Sequence, residues 1–341
     1  MNAPFAIAEA SAADLTGTAD LPQRGFFRSA WFRSGKEPAC KVVTARNAHG
    51  VPLATFPLRR KPIGPLAINE VAGAYWPFRG VPVDASCGAN ELTDAMRQSA
   101  VARELGKVWR LGPVIEDDLS LKTLIAAAQS SGWSVLKRPV GSIFALDLET
   151  LTASGTWPST KGQQKDRWRV RQLEKTGPVA ITRFTGLDWT AETRDAIATV
   201  EANSWVGQLY EGGDTKFLNP ELRAYWEGIA ADPAIAAMIR GSLLTVGEAP
   251  AAFTFGLDCG DTRYLIANNF DQRFNKHSPG RVLLYDDFTH AASRGIARID
   301  WGIGDGGYKR QMGAHQDSPV ADLLFVRGKL LAALLKPLWS R

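Results

Sequence analysis

Sulfur and imidazole are scarce in this 341-residue chain, which has three cysteines, Cys40, Cys87 and Cys259, and four histidines. The cysteines are scattered, with no CxxC spacing and no histidine pair beside them. That argues against a disulfide framework and a zinc site, and points to a reducing, cytoplasmic setting. The few histidines show no Ser/Asp spacing suited to a hydrolase triad, and no metal ligation is expected. No apolar run approaches the length of a membrane-spanning helix. The opening residues MNAPFAIAEASAADLTGTADLPQ lack a basic start and a continuous apolar core, so a signal peptide is not expected. A strong excess of one charge is also missing. The net charge of +5 favours anionic partners such as phosphates, nucleotides or an acidic membrane face. It is far below the charge density of a dedicated nucleic-acid binder.

What is present describes an ordinary globular protein, 45% hydrophobic and 22% charged, long enough for two domains with sizeable cores. Two halves share a plan. Strands at 41–46 and 52–58 flank the turn Ala48-His49-Gly50, and strands at 242–246 and 251–257 flank Gly247-Glu248-Ala249-Pro250. The segments VPLATFPL (51–58) and APAAFTFGL (249–257) look alike at equivalent places, which suggests a duplicated unit. Helical stretches at 91–107 and 119–131 and a strand at 142–148 follow the first hairpin. A segment rich in Thr, Ser, Gly and Pro at 150–159 reads as the boundary. The expected organisation is a first domain over 1–150, a second over 160–325 and a basic tail over 326–341.

The stretch 264–310 carries the most chemistry. It predicts a strand at 264–268, a loop ending in Ser278-Pro279-Gly280, and a helix with Leu284, Phe288, Ala291 and Ala292 on one face. Gly295 stops that helix. A second strand then alternates Ala297, Ile299, Trp301 and Ile303 against Arg298 and Asp300, before a Gly-rich exit. A Pro/Gly loop that opens a helix after a strand leaves backbone N–H groups facing an open site, which suits a phosphate or pyrophosphate. Upstream, the helix at 161–175 bears Lys161, Lys165, Arg167, Arg169, Arg171 and Lys175 against Asp166 and Glu174. It is either a solvated face or an electropositive wall for a phosphate-bearing substrate or carrier. A further helix, 190–205, places Glu201 three residues before Ser204-Trp205, and the polar loop 207–219 is able to cover a site.

Residues 274–309, with SPG at 278–280, RG at 294–295, IDWGIGD at 299–305 and YK at 308–309, resemble the CelD-like branch of GNAT acyltransferases. That branch is named for cellulose-biosynthesis proteins and is related in architecture to the FemAB peptidoglycan transferases. Glu201-Ala202-Asn203-Ser204-Trp205 resembles its E-x-x-S-W element, and 161–175 its K/R-rich segment. The resemblance is strong over 160–313 and weaker over 25–148. It implies an α/β fold with α+β mixed sheets: tandem GNAT-like domains, each a mostly antiparallel sheet flanked by helices. It also implies transfer of an acyl group onto an amine, with acyl-CoA or an acyl carrier protein as co-substrate and no permanently bound cofactor. Asn275-Lys276-His277-Ser278-Pro279-Gly280-Arg281 stands where the usual GNAT loop has basic residues followed by closely spaced glycines. The donor is therefore open between an acyl-CoA, an acyl carrier protein and, by the FemAB analogy, an aminoacyl-tRNA.

Acyl transfer from a thioester to an amine needs a neutral amine, stabilisation of the oxyanion and a proton for the leaving thiolate. Asp305 is either the acceptor of the amine proton or a turn-former between glycines. Tyr308 either protonates the thiolate or packs as an aromatic, and Lys309 either holds phosphate or developing negative charge or is a surface charge. Glu201 is the alternative base, or a solvated helix residue. Asp300 is read as a buried partner for Arg298 or a loop N–H. The donor is assigned to His277, Ser278, Gly280, Arg281 and Val282, with His277 alternatively an idle loop residue. The acceptor is assigned to Trp205, Arg167 and Arg171. The expected acceptor is the amine of a lipid, sugar or other envelope precursor. The alternatives are a FemAB-like aminoacyl-tRNA-dependent transferase and a non-catalytic GNAT scaffold in exopolysaccharide assembly. The tail, with leucines beside Arg327, Lys329, Lys336 and Arg341, is either a helix docked on the core or a peripheral contact with the inner membrane face.

Overall fold

The computed structural model describes residues 25–33, 40–63, 66–73, 79–155, 157–209 and 215–340. The opening segment and part of the loop expected to cover a site, 210–214, lie outside the described residues. The chain divides into two compact units. Among the described residues the first holds 25–33, 40–143 and 317–340, and the second holds 144–316.

In the first unit the short helix α1 (Ser29–Arg33) precedes β1 (Lys41–Arg46), β2 (Pro52–Ile63) and β3 (Leu66–Val71), a three-stranded antiparallel run. Helices α2 (Ala89–Arg97) and α3 (Ser99–Leu105) follow. They replace the single helix expected at 91–107, because Gln98 takes an extended ψ of 131° and breaks the run. β4 (Val108–Ile115) then lies parallel to β3. Helix α4 (Leu119–Ser130) starts where the Asp118 carboxylate accepts the Leu121 N–H. β5 (Trp133–Asp147) carries the chain onward. The core of this unit centres on Trp109, stacked on Phe325 at 3.8 Å and edge-on to Phe56.

The second unit contains α5 (Leu148–Ala153), α6 (Thr160–Leu173), β6 (Val179–Thr185), α7 (Ala191–Asn203), α8 (Trp205–Leu209), α9 (Pro220–Ile229) and α10 (Pro233–Met238). β7 (Ile239–Val246), β8 (Ala249–Cys259) and β9 (Thr262–Phe270) form another antiparallel run, and β6 pairs antiparallel with β7. Helix α11 (Pro279–Ser293) then leads to β10 (Arg298–Ile303), parallel to β9. Each unit thus repeats an antiparallel three-strand run, a helical crossover and a parallel strand. The two look-alike hairpins occupy corresponding places in this plan, and the expected mixed α/β class with helix-flanked, mostly antiparallel sheets is what the chain adopts.

The division of the chain differs from the expected one in two places. The 150–159 segment is not the boundary: the chain changes unit between Ile143 and Phe144, inside β5, and α5 fills 148–153. A strand is continuous there because Ile143, Phe144, Ala145 and Leu146 are all buried, a run that composition alone marks as core rather than linker. The 326–341 segment is not a separate tail either. β11 (His315–Arg327) pairs antiparallel with β4, and α12 (Lys329–Trp339) packs on the first unit.

Candidate active site

The site grows from a ladder that stops early. β9 and β10 are in register only at Thr262–Arg298, Arg263–Ile299 and Tyr264–Asp300, although the strands continue to Phe270 and Ile303. Two parallel strands that part leave N–H and C=O groups facing the gap, and these need partners. Two side-chain hydrogen bonds bridge it: Trp301 Nε1 donates to Asn268 Oδ1 at 3.2 Å, and Asn268 Nδ2 donates to the Tyr308 hydroxyl at 3.4 Å. Tyr308 stands edge-on to Trp301, with ring centres 5.5 Å apart.

A buried charge cluster holds these strands to α11. The guanidinium of Arg263, 2% exposed, donates to Asp258 at 2.6 and 3.0 Å and pairs with Asp287 of α11 at 3.0 Å. Ser242 donates to the other Asp287 oxygen at 2.9 Å. Burial works against the Arg263 charge, but Asp287 and Asp258 outweigh it and hold its pKa above the ordinary arginine value. On the far side of β9, the β8 strand bulges at Phe255/Gly256. A Cβ on Gly256 would lie 2.3 Å from the Tyr264 carbonyl oxygen, so only glycine lets β8 come this close.

The exit loop after β10 brings Asp305, Tyr308 and Lys309 together. The Lys309 ammonium is buried and donates to the carbonyl of Trp301 at 2.6 Å, with those of Ile303 and Gly302 at 3.3 and 3.4 Å. It occupies the carbonyls that the parted strand leaves over, and its three donors are directed there rather than at a phosphate. Burial pushes its pKa down to about 8. Asp305 accepts the Arg310 N–H at 3.0 Å and faces the Arg310 guanidinium at 3.4 Å, while its side chain stays 29% exposed. It forms the turn and still presents a carboxylate to solvent. Burial pushes the Tyr308 phenol upward, so the proton stays on at neutral pH. Asp300 is buried and accepts the Gly302 N–H at 2.9 Å, the structural role expected of it.

At the same C-terminal end of β9, beyond Phe270, lies the start of α11. Ser278 adopts a left-handed conformation (φ 48°, ψ 57°), its side chain makes no capping bond, and Pro279 occupies the first turn. The Arg281 and Val282 N–H groups both turn back to the Ser278 carbonyl, at 3.1 and 3.3 Å. Two of the five residues expected to hold the donor therefore face elsewhere. The Arg281 guanidinium lies along Asp166 at 3.8 Å and Tyr285, and the Val282 side chain is in the core. His277, Ser278 and Gly280 remain at the helix start. His277 Nδ1 is a buried nitrogen with no hydrogen-bond partner among the described residues. Gly280 sits close on β9, where a Cβ would meet the Phe270 ring at 3.0 Å.

The E-x-x-S-W element does something sequence reasoning did not anticipate. Glu201 is fully buried, and its carboxylate accepts the N–H groups of Lys216, Phe217 and Leu218 at 2.7, 2.7 and 2.8 Å. Burial pushes its pKa up against the pull of these donors. Instead of being solvated or free to act as a base, it anchors the returning end of the 207–219 loop. Asn203 donates to Asp271 at 2.9 Å, and Asp271 caps the turn Gln272–His277 through the Arg273 N–H. Ser204 caps α7 through the Glu201 carbonyl, and Trp205 stands half exposed. Arg167 and Arg171 face a separate groove of about 620 Å³ between α6 and α11, which also includes Gln163, Glu174, Tyr285 and Thr289. Asn268, Asn203 and Asp271 were missed from sequence. Asp271 carried a signal as an Asp opening a turn; Asn268 carried none.

Residues 160–310 match the family model described as Acetyltransferase (GNAT) domain. The chain carries a GNAT domain. A comparison with curated proteins returns no match. Among solved structures the chain is similar to FemX, at 12% identity over 98% of this chain and 100% of that one, with a TM-score of 0.60. It is also similar to L-PGS from Bacillus licheniformis, at 13% identity over 90% of this chain and 94% of that one, with a TM-score of 0.52. At such identities the likeness concerns the fold, and the site chemistry rests on the geometry above.

Proposed function

We propose that this GNAT protein is an N-acyltransferase that moves an acyl group from acyl-CoA or an acyl carrier protein to an amine of a lipid, sugar or other cell-envelope precursor. The observation that carries this reading is the early end of the β9–β10 ladder, with Tyr308 beside the gap and the start of α11 next to Phe270 at the end of β9 that borders it. The amine nitrogen attacks the thioester carbonyl, a C–N bond forms and the C–S bond breaks. The leaving thiolate takes the Tyr308 proton, and the amine proton passes to Asp305 directly or through water. His277, Ser278 and Gly280 receive the phosphate part of the donor, Lys309 holds the backbone of the exit, and Trp205 with the 207–219 loop shapes the acceptor side. The CelD-like resemblance supports an envelope acceptor. Incubating the protein with acyl-CoA or acyl carrier protein and a panel of amines tests the reading by thiol release. No release with any donor would count against it.

One observation favours a second reading. Lys161, Lys165, Arg167, Arg171 and Lys175 are all exposed on or just beyond α6, a cationic face suited to the backbone of a charged tRNA in a FemAB-like transfer. Steeply salt-dependent tRNA binding, lost when these cations are removed, would favour it.

A further inference from the structure

Helix α12 has two apolar faces. Ala332 is buried and Leu331, Leu335 and Trp339 are partly buried against Leu324, Val326, Val108 and Ile68 of the first unit. Leu330, Leu334 and Leu338 point away, 86%, 70% and 66% exposed. Their spacing of four residues sets them in one row along the helix. The inward face already anchors the helix, so folding does not account for the outward row.

Beside the row opens an apolar groove of about 800 Å³, walled by Ala67, Ile68, Leu331, Leu335, Leu338 and Trp339. Lys41, Arg60, Arg103 and Lys107 also line it. Lys41 is paired with Glu104. Arg60, Arg103 and Lys107 form no ion pair among the described residues, nor do the exposed Lys329 and Lys336 of α12. The segment 326–341 contains no Asp or Glu.

We infer that this face of the first unit docks on an anionic bilayer, with the leucine row entering the interface and Arg60, Arg103, Lys107, Lys329 and Lys336 meeting lipid phosphates. Exposed leucines beside a groove lined by unmatched cations fit a surface that is apolar beneath and negative above. A second copy of the chain fits poorly, because pairing the patch with itself sets cation against cation. With 11 residues the helix is about 16 Å long, too short to cross the bilayer, so it lies along the surface.

Flotation of the full chain with vesicles of phosphatidylcholine alone, or with about 30% phosphatidylglycerol added, tests this. Binding is expected only with phosphatidylglycerol, and raising NaCl from about 0.1 to about 0.5 M should release the protein. L330E/L334E/L338E should weaken binding by about 10-fold or more, with the melting transition unchanged because these side chains are exposed. R103Q/K107Q/K329Q/K336Q, which leaves every leucine in place, should weaken it comparably. Equal binding to both vesicles, no binding, or full binding by either variant overturns the proposal. A dimer in light scattering that the leucine variant converts to monomer, with no flotation of the parent, would assign the face to a second copy.

Discussion

Replacing Glu201 separates an anchor from a base. In Glu201→Ala two buried N–H groups, those of Lys216 and Phe217, and the part-buried one of Leu218 lose their acceptor. An unsatisfied buried donor costs about 1–3 kcal/mol, so the two buried ones are worth about 2–6 kcal/mol. Against a total stability of about 5–15 kcal/mol, that either unfolds the second unit or frees the loop end. Glu201→Gln is the sharper probe. One amide oxygen can still serve the Phe217 and Leu218 N–H groups, which share Oε2, but the NH₂ then faces the Lys216 N–H as donor against donor. The expected loss is about 2 kcal/mol, read as a lower urea midpoint with an unchanged m-value. Thiol release per folded molecule should fall only as far as the loop is displaced. If Glu201→Gln unfolds at the same urea concentration as the parent and has no activity, the carboxylate is the base and the anchoring argument fails.

Three further outcomes follow from the geometry. Tyr308→Phe should lower kcat by about 100-fold with KM and stability nearly unchanged, since the Asn268 bond it removes is long at 3.4 Å; unchanged kcat would make Tyr308 a packing residue. Gly256→Ala drives a Cβ to 2.3 Å from the Tyr264 carbonyl and should cost about 1–3 kcal/mol in denaturant unfolding, whereas a neutral result would mean the bulge can shift. Glu70 is fully buried among Arg79, Arg59, Arg110 and Lys61; burial alone raises its pKa, but the cations prevail and hold it below the ordinary glutamate value. Its stabilisation is therefore present above that ordinary value and lost as pH falls through the lowered one, so Glu70→Gln should flatten the acid side of a stability–pH profile.

Hairpins and helix boundaries could be read locally because their signals are local. The turns at 48–50 and 247–250 and the Gly295 stop each act within a few residues, and the corresponding elements stand where expected. The unit boundary was misread because a Thr/Ser/Gly-rich segment looks like a linker whether or not a buried strand precedes it. The charged core residues were equally hidden: nothing in the sequence singles out Arg263, Asp287, Glu70 or Asp322, whose burial depends on partners far along the chain.

For the site, the sequence alone determined which stretch matters. The strand, Ser-Pro-Gly loop, helix, strand and exit at 264–310 are contiguous, and their order places a helix start and the Asp305-Tyr308-Lys309 loop around one pair of strands. Only the tertiary structure decided what each residue does there. Lys309 turned to the carbonyls of β10, Glu201 was enclosed by a loop fifteen residues away, and Asn268 took its place between Trp301 and Tyr308. The reason is that periodicity and turn chemistry report a residue's neighbours along the chain, whereas donor satisfaction and burial depend on neighbours that folding alone brings within about 3 Å.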